Sequence, residues 1–171
     1  MKNKKTIRFI AMGAATAALY AGATLLLAPI SYGPVQFRLS EVLTTLCVFT
    51  PAAIPGLTIG CFLGNLASPF GWMDWVFGSL ATLLAAITGR ALRNVRPGGI
   101  PWLSLLMPVV FNAVIVGAEI TLFFEEKGAS LRAFLINGAW VGLGELVVCV
   151  IGGALLVKAI DKSKSLKKEF K

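Results

Sequence analysis

The 171-residue chain contains no histidine. That removes the commonest general base near neutral pH, serine–histidine catalysis, and most zinc and haem ligation. Charge is scarce as well. Only 14% of residues are Asp, Glu, Lys or Arg, against about 25% in an ordinary soluble domain. The three cysteines, Cys47, Cys61 and Cys149, have no CxxC spacing and all lie in apolar segments. They read as buried free thiols that pack as small hydrophobes. No glycine-rich phosphate loop or Walker motif occurs, so nothing in the chain suggests an ATPase of its own. No catalytic residue, metal ligand set or cofactor site emerges from these counts.

What is present is apolar. Hydrophobic residues make up 57% of the chain and the mean hydropathy is +0.81. The expectation is an all-α integral membrane protein, one domain over 1–171, in the cell membrane and multi-pass. Within it, 1–5 is a basic N-terminal segment, about 6–160 a six-helix bundle and 161–171 a basic, frayed tail. The net charge of +8 would suit nucleic acid. The basic residues, however, gather at the two termini and between Arg90 and Arg96, which is the positive-inside pattern and not a groove-lining patch. The partner is lipid bilayer, with no nucleic acid.

Proline and glycine punctuate the apolar runs. The first span is expected at about 6–28, ending before Pro29. Its apolar run exceeds the roughly 7–15 residues of a signal-peptide core. An outer connection follows at 30–36. Two helices at about 37–51 and 53–67 come next. Each is shorter than the roughly 20 residues needed to cross a bilayer. They flank a break at 50–56, irregular backbone that only protein or water can satisfy. Further spans are expected at about 72–92, 102–124 and 131–160, the last long enough to tilt. Six crossings put both termini on one side. Of the sixteen Lys and Arg, only Arg38, Lys127 and Arg132 then fall on the other. The charge bias makes the terminal side cytoplasmic. It places Arg38, Glu41, Asp74 and Glu119 in the outer half.

The stretch 34–41 organises the rest. It sets Arg38 and Glu41 between two uncharged runs, 9–37 and 42–73. Three residues apart, they can share a helix face and pair. Ionisable groups at membrane depth usually face a protein-lined or watery cavity, so the stretch reads as one wall of a pocket. A plain interfacial ion pair is the simpler alternative. Asn65, Asp74, Asn112, Glu119, Asn137 and Glu145 are the other polar groups at depth. Asn112 and Glu119 are seven apart and share a helix face; Glu145 sits at mid-span. Simple helix–helix contacts would account for the asparagines, and an interfacial cap for Asp74. Trp72, Trp75 and Trp102 suit an interfacial belt. Trp140, near Asn137 and Glu145, is either a stacking wall or a lipid contact. The first span also carries small-xxx-small pairs among Ala11, Ala14, Ala15, Ala18, Ala17 and Ala21, which permit close helix approach.

Five motifs then carry a resemblance: LLAPISYGPVQFRLSE at 26–41, FTPAAIPG at 49–56, VFGSLAT at 76–82, FNAVIVG at 111–117 and LGELV at 143–147. Together they resemble the QueT family over about 8–158. That family comprises substrate-binding (S) components of energy-coupling factor (ECF) transporters, assigned to queuosine precursors. The resemblance implies an ECF S-component-like bundle with its pocket in the outer half. It implies docking, through Ala11, Ala14, Ala15 and Ala18, onto a membrane coupling protein (T component) driven by two cytosolic ATPase subunits. It implies a 7-deazaguanine ligand, 7-aminomethyl-7-deazaguanine or queuine. Glu145 and Glu119 would be its two acids, Trp140 its stacking wall, and Arg38 and Glu41 the rim. A stand-alone facilitator or channel for a small polar solute is the alternative. A membrane enzyme using paired acids such as Asp74 and Glu119 is a third reading.

Overall fold

The computed structural model describes residues 2–32, 37–126 and 128–170. Residues 33–36, in the expected outer connection and the start of the 34–41 wall, lie outside the described residues, as does Lys127. Every regular element among the described residues is helical. Helix α1 (Lys2–Leu26) starts within the basic segment and is followed by a single turn, α2 (Ala28–Ser31). A ten-residue 3-10 helix (Leu39–Val48) comes next, then α3 (Ala53–Asn65), with Pro55 in its first turn where no N–H is needed. Helices α4 (Trp72–Ala91) and α5 (Trp102–Phe123) form a hairpin across a turn containing Gly98 and Gly99, both at positive φ. Helix α6 (Leu131–Glu145) runs through a π-helical stretch (Leu146–Gly152) into α7 (Gly153–Lys162). Ser130 caps α6 by accepting from the Ala133 amide at 3.1 Å.

Four helical stretches are long and apolar enough to cross a membrane: Asn3–Leu26, Trp72–Ala91, Trp102–Phe123 and Leu131–Lys162. Their outward faces are greasy, as Leu26 and Leu131 illustrate at 84% and 74% exposed. Lipid is the solvent such surfaces suit. The 3-10 helix and α3 are apolar but short. At about 2.0 Å and 1.5 Å rise per residue, each reaches roughly 20 Å, below the roughly 30 Å hydrocarbon core.

The 3-10 helix is the hub. It packs against α1, α3, α4, α5, the π stretch and α7. Ser40, Glu41, Thr44, Thr45, Leu46, Cys47 and Val48 are buried. Three residues per turn stacks Glu41, Thr44 and Cys47 in one row. Its apolar end joins Tyr20, Leu57, Cys61, Ala86 and Ile160 in the largest hydrophobic cluster. Small residues bring the helices close enough for this. A Cβ on Gly56 of α3 would lie 2.5 Å from the Gly13 carbonyl oxygen of α1, and one on Gly117 of α5 2.7 Å from Gly138 Cα of α6.

The basic segments meet at one end. Arg8 donates to the Lys168 carbonyl at 2.9 Å and pairs with Glu169, while Arg96 and Lys167 reach Asp161 at 3.3 and 3.0 Å. The tail is therefore not frayed as expected. It forms α8 (Lys164–Glu169), capped by Ser163, and seats Phe170 against Phe49 at 5.8 Å between centroids. Exposed pairs contribute under about 1 kcal/mol each, so the aromatic contact does most of this anchoring.

Gly56→Ala is expected to lower stability by about 1–3 kcal/mol through overpacking against α1. Gly22→Ala, whose Cβ would meet nothing within 4 Å, is expected to be neutral or slightly stabilising. Thermal unfolding of both purified variants in detergent checks this; equal melting temperatures would contradict the crossing described.

Candidate functional site: a buried polar centre

Two linked polar groups sit inside the bundle. The first joins the C-terminal end of α3 to the first turn of α4. Arg38 Nη2 donates to both carboxylate oxygens of Asp74, at 3.1 and 3.0 Å. Asn65 Nδ2 donates to the Asp74 carbonyl at 2.8 Å. Arg38 also lies over the Tyr32 ring at 5.8 Å, and Tyr32 donates to the Gly64 carbonyl at 2.5 Å. Gly78, one turn beyond Asp74, makes the room. A Cβ there would stand 2.5 Å from Asn65 Nδ2 and 3.0 Å from Asp74 Oδ1.

The second group lies around Glu41. Its Oε1 accepts from the Tyr20 hydroxyl of α1 and from Thr82 of α4, the latter at 3.2 Å. Cys149 donates to Glu145 Oε2 at 3.2 Å and lies 3.7 Å from the Glu41 carbonyl. Glu41, Glu145 and Cys149 each bring a ligand-capable atom within 4.8 Å of the others. Glu145 ends α6 where the π stretch begins, a widened backbone often found at functional sites. Thr24, one turn past Tyr20, donates to Ser40 at 2.7 Å.

Glu119 connects to the first group through its charge, which acts on Asp74 and Arg38; Glu145 likewise interacts with Glu41 and Arg38. Asn112, Val116 and Glu119 form one buried face of α5. Several buried polar atoms have no partner: Arg38 Nε, Glu41 Oε2, Asn65 Oδ1, Ser79 Oγ, and both polar atoms of Asn112 and of Glu119. Each such atom costs about 1–3 kcal/mol when left unbonded. A set containing both donors and acceptors suits a polar ligand with a two-sided hydrogen-bonding edge.

The structure thus gathers Arg38, Glu41, Asn65, Asp74 and Glu145, with Glu119 in electrostatic reach of Asp74 and Arg38 and Asn112 on the same buried face of α5 as Glu119. It corrects several expectations. Arg38 pairs with Asp74 and not with Glu41, because the 3-10 backbone directs Glu41 toward Tyr20 and Thr82. Asp74 is fully buried, so it is no interfacial cap. Asn137 bonds Thr121 and Glu125 at 3.1 and 3.4 Å, away from the centre. Trp140 is 50% exposed, and five residues of helix turn it well away from Glu145, which is 1% exposed. The thiols are buried and free as expected, but Cys61 and Cys149 hydrogen-bond. The alanine stripe divides: Ala17 and Ala21 are buried, while Ala11, Ala14, Ala15 and Ala18 are exposed.

Tyr20, Thr82 and Cys149 escaped the sequence reading. Cys149 lies four residues beyond Glu145, a readable same-face spacing. Tyr20 and Thr82 had only their hydroxyls at mid-span as a signal.

Four membrane-length helices, with every regular element among the described residues helical, are the build of a helical membrane protein. The QueT transporter family model matches residues 10–162. The queuosine precursor transporter QueT of Lactococcus lactis subsp. cremoris (strain MG1363) is 33% identical, covering 96% of this chain and 100% of that protein. The chain belongs to the QueT transporter family. No solved structure matches it significantly.

Arg38→Met should destabilise the protein by about 3–5 kcal/mol, because it leaves Asp74 buried without its cation. Pairing it with Asp74→Leu should recover much of that loss. Thermal unfolding of the single and double variants tests the pair, and an Arg38→Met protein that melts like the wild type would refute it.

Proposed function

We propose that this chain is the substrate-binding subunit (S component) of an ECF importer for a queuosine precursor of the 7-deazaguanine class. It would cross the membrane six times, with both termini cytoplasmic and the polar centre in the outer half. The family and the name of its relative support the ligand class. The gathering of Arg8, Arg96 and the basic tail at one end supports the orientation, since Lys and Arg favour the cytoplasmic side. Asn65, Asp74 and Glu119 belong to the opposite helix ends.

The observation that carries the reading is the free pair on α5. Glu119 and Asn112 are each 2% exposed, share a face, and keep all four polar side-chain atoms unpartnered. A guanine-type ring edge presents two adjacent N–H donors, which one carboxylate accepts in bidentate fashion. Asn112 or Arg38 Nε would donate to the ring carbonyl. Glu145 remains the second acid. Exposed Trp140 is not used as a wall.

The T component would dock on the exposed alanines Ala11, Ala14, Ala15 and Ala18. Of these, Ala14 and Ala18 line an apolar groove of about 480 Å³ between α1 and α3, together with Gly13, Pro55, Ile59 and Leu63. Two cytosolic ATPase subunits would supply the energy.

Calorimetry of the purified chain should give ligand binding without any other subunit. Glu119→Gln should weaken it by about tenfold or more, roughly 1.4 kcal/mol, while Glu125→Gln leaves it unchanged. In liposomes the chain should accumulate 7-aminomethyl-7-deazaguanine only with the coupling protein, the ATPases and ATP. Equilibration by the chain alone would instead favour a facilitator.

A further inference from the structure

Two cavities on the surface of α1 lie end to end. The first is the apolar groove between α1 and α3. Gly13 and Gly56 bring the two backbones together along its floor, and Ile10, Ile59 and Leu63 stand exposed beside it. The second is a pocket of about 380 Å³ at the basic end of the bundle, lined by Lys5, Arg8, Met12, Thr50, Glu169 and Phe170. Phe9 lines both. Lys5, Phe9 and Gly13 are spaced four apart, so one face of α1 runs from the pocket into the groove.

The length of the groove points to its occupant. It follows α3 from Pro55 to Leu63, about 12 Å at 1.5 Å per residue, and α1 from Phe9 to Ala18, about 14 Å. One leaflet of hydrocarbon is roughly 15 Å deep, half of the roughly 30 Å core. Ala18 is also the middle of the uncharged part of α1, 9–26. An acyl chain entering from the basic end would stop where the groove stops.

The pocket supplies the matching charge. Glu169 is the only acid among its lining residues, is exposed, and pairs with Arg8 at 3.4 Å. Asp161 is held by Arg96 and Lys167. Among the described residues Lys5 pairs with no carboxylate. Arg8 makes its bonds to α8 through Nη2, which leaves Nε and Nη1 to donate elsewhere. Thr50 accepts from the Ala52 amide at 3.3 Å and keeps its own hydroxyl proton to donate. Two cations and a hydroxyl donor suit a phosphate diester. A zwitterionic headgroup would bring its own cation toward Lys5 and Arg8, so the fit is to a net anionic one.

We propose that the joined cavities bind one anionic phospholipid, its phosphate held by Lys5 and Arg8 and one acyl chain laid between α1 and α3. This goes beyond the transport reading and does not rest on it. Ala14 and Ala18 line this groove and also belong to the face assigned above to the T component, so the lipid and that subunit would exclude one another there.

The test titrates the full chain, stripped of lipid in detergent, with phosphatidylglycerol and with phosphatidylcholine of identical chains, and counts bound molecules by native mass spectrometry. One phosphatidylglycerol should bind at least about fivefold more tightly than phosphatidylcholine, the effect of a single basic residue near an anionic lipid. Lys5→Gln should bring that preference below about twofold. Its unchanged affinity for phosphatidylcholine also reports that the variant is folded. Lys158→Gln, an exposed lysine at the same end but outside the pocket, should keep the preference. Ala14→Leu fills the groove and should weaken both lipids about tenfold or more. Equal affinity for the two lipids, or a preference lost as fully in Lys158→Gln as in Lys5→Gln, would overturn the site. Wild-type lipid binding by Ala14→Leu would overturn it too, as would displacement of the lipid by excess inorganic phosphate, which would assign the pocket to a free anion.

Discussion

The interior of this bundle is governed by the pairing of Arg38 with Asp74. Removing either charge from water costs several kcal/mol, and no neighbouring water or lipid can return that at full burial. The pair therefore survives only where every supporting contact is in place: Asn65 on the Asp74 carbonyl, Tyr32 beneath the guanidinium, and the space left by Gly78. These contacts tie α3, α4 and the approach to the 3-10 helix into one corner. The pair specifies geometry more than it adds stability, since a well-packed apolar substitute would hold the same helices together.

The 3-10 helix carries that geometry to the rest of the molecule. Ten residues is long for a form that rarely exceeds three or four. Its buried row of Glu41, Thr44 and Cys47 is held by surroundings, not by intrinsic preference. Thr44 bonds the Glu41 carbonyl at 2.6 Å, and Arg90 bonds the Cys47 carbonyl at 2.9 Å. Opposite it, the π stretch widens the long final helix just past Glu145. Two irregular segments thus face one another across the polar centre, the π stretch turning Val148 and Cys149 inward while Leu146, Val147 and Ile151 stay exposed.

Both tyrosines of the chain serve this region. Tyr20 holds Glu41, and Tyr32 sits under Arg38 while closing on Gly64. The fixed groups, Asp74 and Glu41 Oε1, are saturated by protein donors. The free groups, on Asn112, Glu119 and Glu41 Oε2, are buried without protein partners. A transporter site needs this division: rigid enough to recognise, unsaturated enough to bind, and weakly enough satisfied to release.

The amino-acid sequence alone determined the class, the long apolar helices, the split at 50–56 and the list of polar residues at depth. Those follow from local rules: helix length, proline position and the cost of charge in lipid act within one segment. It also set Asn112 and Glu119 on one face of α5, because they are seven residues apart on one helix. The tertiary structure alone decided the partners. Arg38 chose Asp74, 36 residues away, over Glu41, three away; Glu41 turned to Tyr20 and Thr82; Asn137 and Trp140 left the centre. Such choices depend on how helices rotate against one another, and that rotation is set by small-residue crossings such as Gly56 on Gly13 and Gly117 on Gly138. No single segment encodes it, since each crossing needs both helices in place before either side chain has a neighbour.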